Sequence, residues 1–188
     1  DPSERLASTR ELAKGLSAVA PPPSPTRARP QGLETILESV LTKVRPGGEG
    51  FDEGLPSHAP RCSVVYGAAG IAVTLYRAAV VRAEPELLAL ADEWSVRAAR
   101  EASGPQAFSH DALHVTGDTV GLVSPFHRIS GVHAVQALIS QAQGDGLERR
   151  KALDAFVAES RHPCANLDLT VGRSGTLLAS GLLLEAVG

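Results

Sequence analysis

A short turn, a glycine and then an apolar helix-forming run occur three times in this chain. That recurrence restricts its fold more than any other feature. VVYGAAGIAVTLYRAAVVR, FHRISGVHAVQALISQAQ and TVGRSGTLLASGLLLEAV align when Gly70, Gly131 and Gly175 are superposed, at intervals of 61 and 44 residues. The first two runs are followed by PELLALADEWSVRAAREA from Pro85 and LERRKALDAFVAESR from Leu147, each with Glu, Arg and Lys along one face. Each unit therefore reads as an αα-hairpin. Fixed-order recurrence over some tens of residues predicts a helical repeat array in which every unit buries its apolar face against its neighbours. The first helix of each pair, apolar nearly all round, is expected inside and the charged second one outside. Glycine ahead of the inner helix fits a tight turn or a close passage that leaves no room for a side chain, which makes Gly67, Gly70, Gly131, Gly172 and Gly175 structural turn residues.

Upstream of the repeats, GLETILESVLTKVRPGGEG places Leu33, Ile36, Leu37, Val40, Leu41 and Val44 at helical spacing, stopped by Pro46 and Gly47. The polar stretch from Gly47 to Pro60, rich in Gly and Pro, reads as a long surface loop. Residues 1–20 carry a helix-start signal followed by Leu6, Leu12 and Leu16, and PPPSPTRARPQG, rich in proline, reads as an extended linker over 21–31.

Composition narrows the function classes. The formal charge is -3, from acidic and basic residues that are interspersed, so neither a nucleic-acid partner nor a membrane surface is expected. No apolar run reaches the ~18 residues of a membrane span and no signal peptide is recognisable at the start, so a soluble chain is expected. Two cysteines, Cys62 and Cys164, are too few for a disulfide framework, and a reducing cytoplasmic setting is the simpler reading. The lack of methionine and the apolar stretch up to Gly188 suggest a segment of something longer. Such a segment is expected to be marginally stable or to self-associate through the apolar face of residues 175–187.

The turns GAAGIA at 67–72, HRISGVHA at 127–134 and DLTVGRSG at 168–175 resemble the G-x-x-G repeats of the lanthionine synthetase C-like family. The resemblance covers roughly residues 32–188. It implies an all-α fold, an (α/α) toroid-type helical repeat of which this chain supplies about three αα-hairpins out of seven. DPSERLASTRELAKGL looks like the last helix of a Ser/Thr protein-kinase domain, with Arg5 as the arginine that pairs with the glutamate closing the activation segment; Ser8 stands later than that pattern places it. Kinase, linker and cyclase-like toroid in one chain is the arrangement of bacterial lanthipeptide synthetases. The resemblance thus implies a parent that phosphorylates and dehydrates Ser or Thr in a precursor peptide and then closes thioether rings. It equally admits a zinc-free toroid that binds peptide or regulates a Ser/Thr kinase. The implied partners are a precursor peptide or a protein kinase domain, and zinc and ATP would belong to the full-length parent.

The family's cyclases hold zinc with two cysteines and a histidine just ahead of the turn glycines, where coordination keeps a substrate thiol as thiolate. The equivalent triplets here are Val65-Tyr66-Gly67, Phe126-His127-Arg128 and Thr170-Val171-Gly172, and none supplies cysteine. No metal ligand, catalytic residue or cofactor is therefore expected in this segment. His127 takes the histidine's place, either facing a central cavity or making an inter-helix hydrogen bond, and Arg128 replaces the first glycine of its turn. Tyr66, His127, Arg128, Asp168 and Arg173 are the candidates for cavity or peptide contact, although Asp168 and Arg173 could instead form a salt bridge with each other. His133 reads as a packed or capping histidine, and His110 with His114 lack a third ligand. SVVYGAAGIA lacks the middle glycine of a dinucleotide fingerprint, and GRSG lacks the spacing of a nucleophile elbow.

Overall fold

The computed structural model describes residues 31–53 and 60–187. The amino-terminal helix and most of the linker read from the sequence lie outside the described residues. Among these residues the fold is all-α: six helices of fourteen residues or more, one four-residue helix, a 3-10 turn and a single isolated β-bridge. The chain divides between Val40 and Leu41 into two units, and the second contains the three repeats. No helix among the described residues is long and apolar enough to cross a membrane.

Helix α1, Gln31–Val44, spans the boundary, and its last turn buries Leu41 and Val44 in the second unit. The predicted loop after it contains a short helix, α2, Glu49–Asp52. The reason is tertiary. Phe51 sets its ring edge-on against that of Trp94, with centroids 5.4 Å apart at 89°. The Arg97 guanidinium lies over both rings and donates to the Phe51 carbonyl at 2.6 Å. The Trp94 indole, fully buried, donates to the Val44 carbonyl at 2.9 Å, so one side chain ties the end of α1 to the repeats.

The first hairpin pairs α3, Ala68–Arg82, with α4, Pro85–Glu101. Ala83 turns the chain in the left-handed conformation at φ 54°, and Pro85 starts α4 at a position whose N–H has no helical partner. Helix α4 buries Leu87, Leu90, Ala91, Trp94 and Ala98, the expected one-sided stripe of an outer helix. The second hairpin pairs α5, Ile129–Gln143, with α6, Gly146–Ser160. Gly144 turns at φ 76°, and the Asp145 carboxylate caps α6 by accepting from the N–H groups of Leu147 and Glu148 at 3.1 and 3.0 Å.

Helix α7, Arg173–Val187, is the third inner helix, so the described chain holds two hairpins and the inner half of a third unit. The inner helices follow one another side by side, α3 on α5 and α5 on α7, while outer helix α4 also packs on α5. Phe156 and Ala152 of α6 form a core with Ala137 of α5 and Leu183 of α7. Enclosure is uneven, as expected for the face at 175–187 but not for the first inner helix. Helix α3 leaves Val80 and Val81 exposed, and α7 leaves Leu177, Leu178, Leu182 and Leu184 exposed, because nothing among the described residues packs on those faces.

Candidate functional site

The three glycine turns are one structure built three times. A Cβ on Gly70 would be driven into the carbonyl of Val64, six residues earlier; Gly131 meets the carbonyl of Pro125 and Gly175 that of Leu169 in the same way. The identical look-back of six residues establishes the register of all three repeats, the second included. Seven residues before each of these glycines stands a side-chain acceptor: Ser63, Ser124 and Asp168. Each receives the N–H three residues on, from Tyr66 at 3.1 Å, His127 at 3.3 Å and Val171 at 2.9 Å. These are the side-chain-closed turns that Ser and Asp favour.

Neighbouring turns are bonded sideways. The N–H groups of Val64 and Val65 donate to the Phe126 carbonyl at 3.1 and 3.2 Å. The Ser124 hydroxyl donates to the Thr170 carbonyl at 2.6 Å, and Gly121 N–H to the Val171 carbonyl at 2.8 Å. Thr176 reaches back to the Val123 carbonyl at 2.8 Å. The turns therefore form a continuous row, and all of these bonds have sequence separations that no local pattern encodes.

This row brings two of the candidates together. The ring of Tyr66 from the first turn lies 5.9 Å from that of His127 in the second, tilted at 45°. Tyr66 is half-exposed, whereas His127 is 6% exposed and its Nδ1 has no hydrogen-bond partner among the described residues. Burial, and after it the Arg128 charge, hold the His127 pKa below the ordinary imidazole value, so the ring is neutral at pH 7. The inter-helix hydrogen bond expected of this residue is not made by Nδ1.

The remaining candidates hold the turns together. Arg128 donates through Nη2 to the carbonyls of Thr116 and Val120 at 3.2 and 3.0 Å. In the other two turns the residue after the first glycine donates its N–H to the chain seven residues back, Ala68 to Arg61 and Arg173 to Asn166, both at 2.8 Å. The Arg128 side chain thus ties its turn to the preceding loop where the other repeats use close backbone approach at Gly67 and Gly172. Asp168 is exposed and accepts from Val171 N–H and from the N–H and hydroxyl of Thr170, which holds its pKa below the usual carboxylate value. Arg173 donates to the carbonyls of Ser160 and His162, both at 2.7 Å, anchoring the end of α6. No Asp168–Arg173 salt bridge forms, because each side chain is committed within its own neighbourhood.

The zinc that the resemblance places in the full-length parent has no complete ligand set among the described residues. Cys62 is completely buried, and burial, with the Glu101 charge adding to it, pushes its thiol up to about 11. The Cys164 thiol donates to the Asn166 carbonyl at 3.4 Å. Among the described residues no three His, Cys, Asp or Glu side chains converge as a metal ion requires. His110 bridges to Val115, closing a small loop that holds a 3-10 turn at Asp111–Leu113 with His114 at its end. His133, five residues into α5, contacts the Gln136 side chain at 3.3 Å.

Ser63 and Ser124, and the turn-closing role of Asp168, were missed by the sequence reading, although extending the glycine alignment seven residues upstream places all three in register. No protein-family model matches the chain, and no curated protein matches it.

Proposed function

We propose that this chain forms part of the wall of a peptide-binding cavity, in a protein resembling a lanthipeptide synthetase with a kinase and a cyclase-like toroid. The observation that supports this reading is the row of three equivalent turns, which sets a half-exposed phenol, Tyr66, against a buried neutral imidazole, His127. In a closed array of such repeats the row faces one opening of the ring, and Tyr66, His127, Arg128, Asp168 and Arg173 shape the surface that a peptide meets there. His127 contributes an unpartnered nitrogen that a peptide N–H or carbonyl reaches when Tyr66 moves aside. Thioether closure in the full-length parent would use zinc held by residues outside this chain.

The second reading is a zinc-free toroid that binds peptide or regulates a Ser/Thr kinase; two cysteines outside the turn triplets are compatible with both, since a cyclase's zinc ligands would lie outside this chain. One titration tests the shared claim. A short peptide containing dehydroalanine and cysteine, added to the isotope-labelled chain, is expected to shift the resonances of Tyr66, His127 and Arg128 first. Shifts confined to other surfaces, or none up to millimolar peptide, would remove the cavity reading. Native mass spectrometry of a full-length parent then separates the two versions, because a stoichiometric zinc ion is compatible only with the cyclase.

A further inference from the structure

On α5 the residues His133, Gln136, Ser140 and Gln143 form a polar stripe along one face. At the same register α3 carries Ala72, Leu75, Ala79 and Arg82, and α7 carries Leu177, Ser180, Leu184 and Val187, so three of the four positions are apolar in each of the other repeats. The stripe is thus peculiar to the second repeat. It floors a groove of about 500 Å³ between outer helices α4 and α6, within the size range of small-molecule sites.

Among the described residues, the Ser140 hydroxyl and the Asp92 carboxylate have no hydrogen-bond or ion-pair partner. Ser140 is 7% exposed and its hydroxyl makes no hydrogen bond, whereas Thr74 on α3 and Ser180 on α7 return theirs to the carbonyl four residues back at 2.8 Å. Asp92 of α4, half-buried, has neither a hydrogen bond nor an ion pair on its carboxylate. The other acids at the groove are engaged: Asp145 caps α6 and Glu148 pairs with Lys151. Val96, one turn from Asp92, and Ala152 with Ala155 on α6 add an apolar wall. Ser140 lines the groove with its hydroxyl uncommitted, so a ligand there can bond it directly.

We propose that this groove binds a small organic cation with an alkyl stem, an alkylguanidinium or alkylammonium group. Its head pairs with Asp92 and hydrogen-bonds to Ser140, and its stem lies along Val96, Ala152 and Ala155. A guanidinium suits this geometry because its planar fork of donors reaches a carboxylate and a hydroxyl together. Such a group comes either as a free amine metabolite or as a basic side chain of a peptide. The site shares no residue with the row of turns and stands or falls apart from the cavity reading.

The experiment is a titration of the 188-residue chain with agmatine and, separately, with N-acetyl-arginine methylamide, followed by calorimetry and by the side-chain resonances of His133, Gln136 and Gln143. Saturable binding that weakens at least tenfold in Asp92→Asn and disappears in Val96→Lys, whose ammonium fills the groove, is the expected result. Tighter binding of agmatine marks a free cation as the ligand, and tighter binding of the arginine derivative marks a peptide side chain. Non-saturating shifts up to 10 mM of both probes, or equal affinity in Asp92→Asn, would overturn the proposal. Glu86→Gln, an exposed carboxylate in the first turn of α4, serves as the control that leaves binding unchanged.

Discussion

Glycine to alanine at two positions of the same repeat family should act in opposite directions. At Gly131 the added methyl would be driven into the Pro125 carbonyl and would stand 2.9 Å from Val64 Cγ2. The obstacle is backbone held by the turn, so the chain itself must shift. Overpacking of this kind costs about 1–3 kcal/mol, against a gain of roughly 1 kcal/mol from helix propensity. A net loss of up to about 2 kcal/mol follows. Gly181, in the middle of α7, has nothing within 4 Å of an added methyl, and alanine there should stabilise by roughly 1 kcal/mol. With a urea slope of about 2 kcal/mol/M, the Gly181 variant's midpoint should lie about 0.5–1.5 M above that of the Gly131 variant. Trp94, the single tryptophan and fully buried, reports the transition by fluorescence. Midpoints within about 0.3 M of each other would refute the claim that Gly131 is held against a fixed carbonyl.

Ser124→Ala removes the bridge to Thr170 and the turn bond to His127 together and should cost about 1–3 kcal/mol; Ser63→Ala, which loses only the turn bond to Tyr66, should cost about half as much, and urea melts compare them. His127 has a folded pKa below its unfolded value of 6.5, so the stability it contributes is fully present above pH 6.5 and is lost as pH falls through the folded value. His127→Phe should therefore show a flatter fall in urea midpoint between pH 7.5 and pH 5 than the parent, and equal slopes would count against a buried neutral ring. Leu177 and Leu184, 67% and 72% exposed, form part of an uncovered apolar face. Sedimentation of the parent should show mass rising with concentration, and the pair Leu177→Glu and Leu184→Glu should remove that dependence.

Periodicity carried much of this fold into the sequence. The helices from Gln31, Pro85 and Gly146 announce themselves by one-sided apolar spacing or by Pro and Asp at their starts, and the recurrence of Gly70, Gly131 and Gly175 marks where the inner helices begin. What stayed hidden depends on contacts distant in the chain. Helix α2 forms because Phe51 finds Trp94, forty-three residues on, and its polar sequence gives no periodic signal. Arg128 looked like a fault in the glycine pattern, yet its guanidinium does the anchoring that close backbone approach does in the other turns. Tyr66 and His127 were placed at equivalent positions by alignment, but their ring contact depends on the turns packing side by side. Asp168 and Arg173, adjacent in the motif, are drawn apart by partners on their own sides.

The contact between neighbouring turns is tested most directly by a nuclear Overhauser measurement between the ring protons of Tyr66 and His127. The Phe51–Trp94 pair, with centroids 5.4 Å apart, provides an internal reference for the 5.9 Å separation of the Tyr66 and His127 rings. A Tyr66–His127 cross-peak of comparable strength is the predicted result. A clear Phe51–Trp94 cross-peak with none between Tyr66 and His127 would contradict the row of turns on which the cavity reading rests.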